Sequence, residues 1–171
     1  MGYKIFQVEL KQYNSSIGFS NFPGRKELKG LATLSKSVLI EDLNIIKIFN
    51  PKMILSLIET DEIGEGYLKE IKEFSENINA YWVHLPITDY SIPDDRFEEE
   101  WVKNKRYIEE NLCSSKNIFL HCKGGIGRSG LVVAKILTNC GYKNTVSIEM
   151  VRAVRSGAIE TAEQECYIKN L

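Results

Sequence analysis

Apolar residues recur at two different periods along the chain, and the two periods alternate. In "SKSVLIEDLNIIKIFNP", Leu39, Leu43 and Ile46 fall at helical spacing and Pro51 stops the run. The next segment, "KMILSLIE", is a short continuous apolar run, the pattern of a buried strand. "GYLKEIKEFSENI" returns to the helical period, with Leu68, Ile71 and Phe74 on one face. "AYWVHLPI" predicts another strand, running into the loop "TDYSIPDD". Pro93 with Asp94 and Asp95 reads as a helix first turn, and Phe97, Trp101, Ile108 and Leu112 then keep one face through "DDRFEEEWVKNKRYIEENL". "NIFL" predicts a further buried strand, and "SGLVVAKILTNCG" a helix closed by Gly141. "VSIEMVRAVRSG" and "AEQECYIKNL" complete the chain as helices. At the N-terminal side, "YKIFQVEL" and "IGFSNFPGRK" predict short strands or extended segments, with Pro23-Gly24 as a turn.

Strands alternating with helices imply an α/β fold with a central, mostly parallel sheet of about four to five strands flanked by helices. A chain of 171 residues is enough for one such domain, and residues 1–171 are read as one. In sheets of this kind ligands bind at the carboxyl ends of strands. "PITDYS" and "HCKGGIGR" both follow predicted strands, so they are expected to share one rim.

Charge narrows the function. A net charge of −1 supplies no overall basic field for nucleic acid or an anionic membrane, so any anion must be bound by a local site. Cysteines 113, 122, 140 and 166 form no C-x-x-C pair, and with His84 and His121 they show no zinc-ligand spacing. With no signal peptide in "MGYKIFQVEL" and no apolar run of ~20 residues, a reducing cytoplasm is the expected setting.

The local site is "FLHCKGGIGRSGL". Gly125, Gly127 and Gly130 spell the G-x-G-x-x-G of a dinucleotide-binding turn, with Glu149 further on. Too few residues follow Gly130 for a second mononucleotide half, and the segment around Glu149 is helical in pattern rather than a strand. The same residues read as H-C-x5-R-S explain more. Lys123, Gly124, Gly125, Ile126 and Gly127 can turn their backbone N–H groups onto a phosphate, and the helix that follows adds its N-terminal dipole. Arg128 supplies a planar fork for two phosphate oxygens. Cys122 then stands at the floor as a nucleophile, and the chemistry needs no metal or cofactor. Ser129 is positioned to hydrogen-bond the sulfur as it leaves, and His121 to orient the loop. Of the candidate acids Asp89, Asp94 and Asp95, the last two already serve a helix first turn, which leaves Asp89 as the general acid.

"HCKGGIGRSG" resembles the signature loop of the cysteine-dependent protein tyrosine and dual-specificity phosphatases. "GFSNFPGRK", "HLPITDYSIPD" and "RSGAIETAEQECYI", in that order, are similar to the cyclin-dependent kinase-associated phosphatase group, so the resemblance runs from Ile17 to Ile168. It implies a dual-specificity-type protein phosphatase working through a cysteinyl-phosphate on a phosphoprotein substrate, with a protein kinase as a candidate partner. The position of Asp89 relative to Cys122 resembles the family's general-acid spacing. Gln164 matches one of the glutamines that position the attacking water; Glu160 stands where the family usually has the other. Ile126 stands where lipid-directed members often carry lysine, which favours protein substrates over phosphoinositides. RNA 5′-end phosphatases and a non-catalytic phosphoprotein-binding module share the loop and are the alternatives. Arg152 and Arg155 are expected to pair with acidic neighbours.

Overall fold

The computed structural model describes residues 2–28 and 31–171. Phe6–Leu10 (β1) and Ser15–Asn21 (β2) pair antiparallel, and β2 then runs parallel to Asn117–Cys122 (β7). Pro51–Ser56 (β5) lies parallel to β7 on its other side and to Tyr81–His84 (β6) at the edge. The sheet order is β1-β2-β7-β5-β6, so the expected mostly parallel five-stranded sheet is present. Arg25–Leu28 (β3) and Leu31–Leu34 (β4) pair antiparallel as a separate two-stranded sheet.

The period-two pattern explains why helices cover both faces. In β7, Ile118 and Leu120 belong to one apolar cluster and Phe119 to the other. On the first face lie Asp95–Cys113 (α4), Gly127–Asn139 (α5), Asn144–Val154 (α6) and Ala162–Lys169 (α7), through Phe97, Trp101, Leu131, Val151 and Ile168. On the second lie Lys36–Phe49 (α1) and Glu65–Asn77 (α3), through Leu39, Ile46, Leu68 and Ile71. Among the described residues, no helix is long and apolar enough to cross a membrane.

The boundaries moved where local chemistry overrode the period. Helix α1 ends at a left-handed Asn50 (φ 53°), which satisfies Lys47 O and lets Pro51 start β5. Strand β7 continues past "NIFL" to His121 and Cys122, which brings the nucleophile to its carboxyl end. The expected strand "AYWVHLPI" pairs only over Tyr81–His84; Leu85 to Ile87 continue as extended chain hydrogen-bonded to Ser56 and Leu57. Thr60–Ile63 (α2), a single turn directly after β5, has no apolar period to announce it and is held by a capping box between Glu59 and Glu62. The β3–β4 pair likewise has no sequence signal, since "RKEL" and "LATL" are too short to show a period.

Candidate active site

Strand β7 delivers Cys122 to the rim, and the chain then turns back into α5 at Gly127. Cys122 is buried, and its Sγ accepts the Gly125 N–H at 3.2 Å. The turn depends on Gly125, whose φ is +66° and whose missing Cβ would lie 2.3 Å from the Ser20 carbonyl carbon and 2.4 Å from Asn21 N. The loop therefore seats directly on the β2 backbone. Gly125→Ala is expected to cost about 3 kcal/mol and to abolish activity, because neither backbone can yield. Urea denaturation and turnover of a chromogenic phosphate check it; a variant with wild-type activity would remove this role. Lys123, Gly124, Ile126, Gly127 and Arg128 line the pocket above Cys122, together with Arg25, Asp89, Tyr90 and Glu160, in a cavity of 350 Å³. Gly125 serves from behind.

Arg128 is 1% exposed and almost fully engaged. Its Nη1 donates to Glu62 Oε2 at 2.6 Å and to Ile87 O at 2.9 Å. Its Nη2 donates to Glu62 Oε1 at 3.1 Å and reaches Asp89 Oδ1 at 2.8 Å. Glu62 is thus the residue that the sequence pattern did not identify: α2 swings its carboxylate under the guanidinium. Burial opposes ionisation of Glu62, yet the hydrogen bonds from Arg128 and the Glu59 N–H outweigh it and hold its carboxyl below the usual range. Its only sequence signal was the glutamate three positions after Glu59, and Glu59 is itself an unusual cap residue.

Asp89 meets the cradle from the loop after β6. Tyr90 adopts φ +61° there, and its N–H closes onto Asp89 Oδ1 at 3.2 Å. Asp94 is confirmed as the cap of α4, accepting the Phe97 N–H and pairing with Arg96, away from the pocket. Lys123 Nζ lies 3.6 Å from Glu62 and 4.0 Å from Asp89.

Ser129 is fully buried and its Oγ has no partner among the described residues; Sγ is not hydrogen-bonded to it. Glu160 lines the pocket, carried there by Ile159 at φ +60°, a conformation that costs a β-branched residue about 1–3 kcal/mol. Gln164 is not among the lining residues. It is fully buried behind Gly127; its Oε1 accepts the Glu160 N–H at 2.9 Å and its Nε2 donates to Ser91 O at 3.1 Å. Gln164 therefore ties the Asp89 loop to the Glu160 segment.

His121 is fully buried, but it is not hydrogen-bonded to the loop it was expected to orient: its Nδ1 has no partner among the described residues, and its other nitrogen is held on β5. Its Nε2 lies 2.8 Å from Ser56 Oγ, which accepts the Trp82 Nε1–H at 2.9 Å. Burial, with help from His84 and Arg128, pushes its pKa down to about 3. The folded state therefore refuses a proton that the unfolded state takes up below about pH 6.5. This stability is complete above that pH and falls by about 1.4 kcal/mol per pH unit as the pH drops toward 3. Heteronuclear NMR should show this imidazole neutral at pH 5; a midpoint near 6.5 would contradict it.

A buried cysteine beneath a glycine-turned cradle, with an arginine in its wall and an aspartate opposite, defines a cysteine-based phosphatase site. Comparison with known proteins specifies the family. Residues 29–168 match the family described as "Swiss Army Knife protein, DSP-PTPase phosphatase domain", and the chain belongs to it. It is 30% identical over 82 residues to PRL-1 phosphatase of Drosophila melanogaster, covering 46% of this chain and 44% of that one. It is 31% identical over 84 residues to protein tyrosine phosphatase type IVA 3 of Mus musculus, covering 47% and 46%. The chain thus spans a little under half the length of these relatives. The fold matches that of a kinase-associated phosphatase crystallised with serine at its catalytic cysteine, with TM-score 0.78 at 22% identity over 98% of this chain and 93% of that one. Tk-PTP in its active form gives TM-score 0.66 at 27% identity, covering 91% and 90%.

Proposed function

We propose that this protein is a dual-specificity-type protein phosphatase that hydrolyses phosphotyrosine, phosphoserine or phosphothreonine monoesters through a cysteinyl-phosphate. The observation that carries this reading is the convergence of Cys122, Arg128 and Asp89 in one pocket. The Asp89 carboxylate lies 2.8 Å from Arg128 Nη2, on the fork that a phosphate would use. An arriving phosphate dianion takes over that fork, and Asp89 is released toward the leaving oxygen. Cys122 attacks phosphorus in line as its thiol proton passes to Asp89, and Asp89 gives that proton to the departing alcohol or phenol as the P–O bond breaks. Water then attacks phosphorus, Asp89 accepts its proton, and the thiolate leaves, stabilised by the Gly125 N–H and by rotation of the unpartnered Ser129 hydroxyl. Glu160 faces this water; Gln164 acts through it by fixing the Glu160 backbone.

The kinase-associated and type IVA relatives support a phosphoprotein substrate, with a protein kinase as candidate partner. Ile126 in the pocket wall, where a lysine would favour inositol phosphates, supports protein over lipid. Four free cysteines support a reducing cytoplasm as its setting. The test is turnover of p-nitrophenyl phosphate by reduced protein in EDTA. Activity is expected; its absence in folded, reduced protein overturns the enzyme reading in favour of a phosphoprotein-binding module.

A further inference from the structure

Arginines outside the cradle are held in different ways. Arg152 is consumed by Ala158 O, Ile159 O and Glu165 Oε2. Arg155, expected to pair with an acidic neighbour likewise, has no carboxylate partner among the described residues, and its guanidinium lies 4.3 Å from the Phe6 ring centroid. Arg96 does what, among the described residues, only Arg128 also does: it grips two carboxylates at once. Its Nε and Nη2 donate to Asp94 Oδ2 at 2.9 and 2.7 Å. Its Nη2 also donates to Glu59 Oε1 at 2.8 Å, and its Nη1 to Glu59 Oε2 at 3.4 Å. Glu59 Oε1 accepts the Thr88 hydroxyl at 3.1 Å as well, and the Glu59 N–H donates to Glu62 Oε2 at 3.0 Å. Since Glu62 is the carboxylate under Arg128, one polar network runs from Arg96 to the arginine of the cradle.

Thr88 and Asp94 are the two ends of the loop that carries Asp89. We propose that Arg96 is the positioning residue of the general acid: it brackets that loop at both ends, Asp94 directly and Thr88 through Glu59, and so fixes Asp89 over the cradle; the proposal rests on the phosphatase reading above. The loop needs such a hold. Tyr90, directly after Asp89, stands at φ +61°, a conformation that a bulky residue keeps only where its surroundings enforce it. Between the two ends, the Ser91 N–H donates to Thr88 O at 3.0 Å and Ser91 O accepts from Gln164. With the ends tied, release of Asp89 from Arg128 is a side-chain rotation, and the loop backbone stays in place. A single exposed ion pair would be a weak hold. Here one planar fork joins two carboxylates, and Glu59 is only 19% exposed. The Arg96 guanidinium holds the carboxyls of Glu59 and Asp94 both below the usual range, so the three charges persist together at neutral pH.

The experiment compares kcat on a phosphotyrosine peptide, whose leaving group needs a proton, with kcat on p-nitrophenyl phosphate, whose leaving group needs little help. Arg96→Met is expected to lower kcat on the peptide about tenfold, with KM within about twofold, and to change p-nitrophenyl phosphate turnover little. In an Asp89→Asn background the same substitution should have no further effect, because it acts only through Asp89. Thr88→Val, which unties one end and leaves Arg96 in place, should lower peptide turnover with the same selectivity. Equal losses on the two substrates, a loss that persists in the Asp89→Asn background, or wild-type kcat on the peptide in either variant overturns the bracket. Should Arg96→Met fail to fold, the selectivity of Thr88→Val decides in its place. If wild type turns over p-nitrophenyl phosphate and the losses are unselective, only the bracket has failed. If wild type turns over neither substrate, the phosphatase reading itself has failed and the bracket falls with it.

Discussion

Cys122→Ser will leave p-nitrophenyl phosphate essentially unhydrolysed, a loss on the order of 10⁴-fold or more, while phosphate binding survives. The substitution exchanges a sulfur that can stand as thiolate for a hydroxyl with no adjacent base. His121 is too weak a base for this, since burial pushes its pKa down to about 3 and its Nε2 is held on Ser56 Oγ. The cradle itself should persist: the side chain is nearly isosteric, Gly125 still seats on β2, and Glu62 still holds Arg128. Steady-state turnover together with calorimetric titration of phosphate or vanadate checks both halves. Retained turnover would move the nucleophile elsewhere. Lost turnover with lost phosphate binding would mean that the variant had damaged the cradle.

Asp89→Asn should lower kcat by about 10²–10⁴-fold for phosphotyrosine, whose leaving group needs a proton, and much less for an activated phenol. A second consequence follows from the 2.8 Å contact between Asp89 and Arg128. Because the carboxylate competes with phosphate for that guanidinium, the amide variant should bind inorganic phosphate more tightly than the wild type. A residue with a merely structural role would weaken both properties together. Equal losses for activated and unactivated substrates would take the acid role from Asp89.

Legibility differed sharply between parts of this molecule. The cradle was readable because its pieces are consecutive: Cys122 to Arg128 is one turn between a strand and a helix, so spacing alone dictates their proximity. The sheet and its covering helices were readable because period two and period 3.6 each require a buried face. Asp89 was found by elimination, and the structure brings it within 2.8 Å of Arg128. Glu160 and Gln164 were both read as candidates to position water, yet Glu160 lines the pocket while Gln164 is fully buried, its amide taken up by the Glu160 N–H and Ser91 O. Glu62 and Arg155 were not legible because their surroundings, Arg128 and the Phe6 ring, come from far away in the chain.

What the amino-acid sequence determined by itself is the alternation of strands and helices, the phosphate-turning loop, and the nucleophile and arginine within it. These rest on contacts between near neighbours, which local pattern encodes. Only the tertiary structure decided that Glu62 secures Arg128, that Gln164 joins the acid loop to Glu160, and that Arg96 spans Glu59 and Asp94. Each of those depends on which distant segments the parallel sheet brings to one rim. A charged side chain shows no period that would announce the partner waiting there.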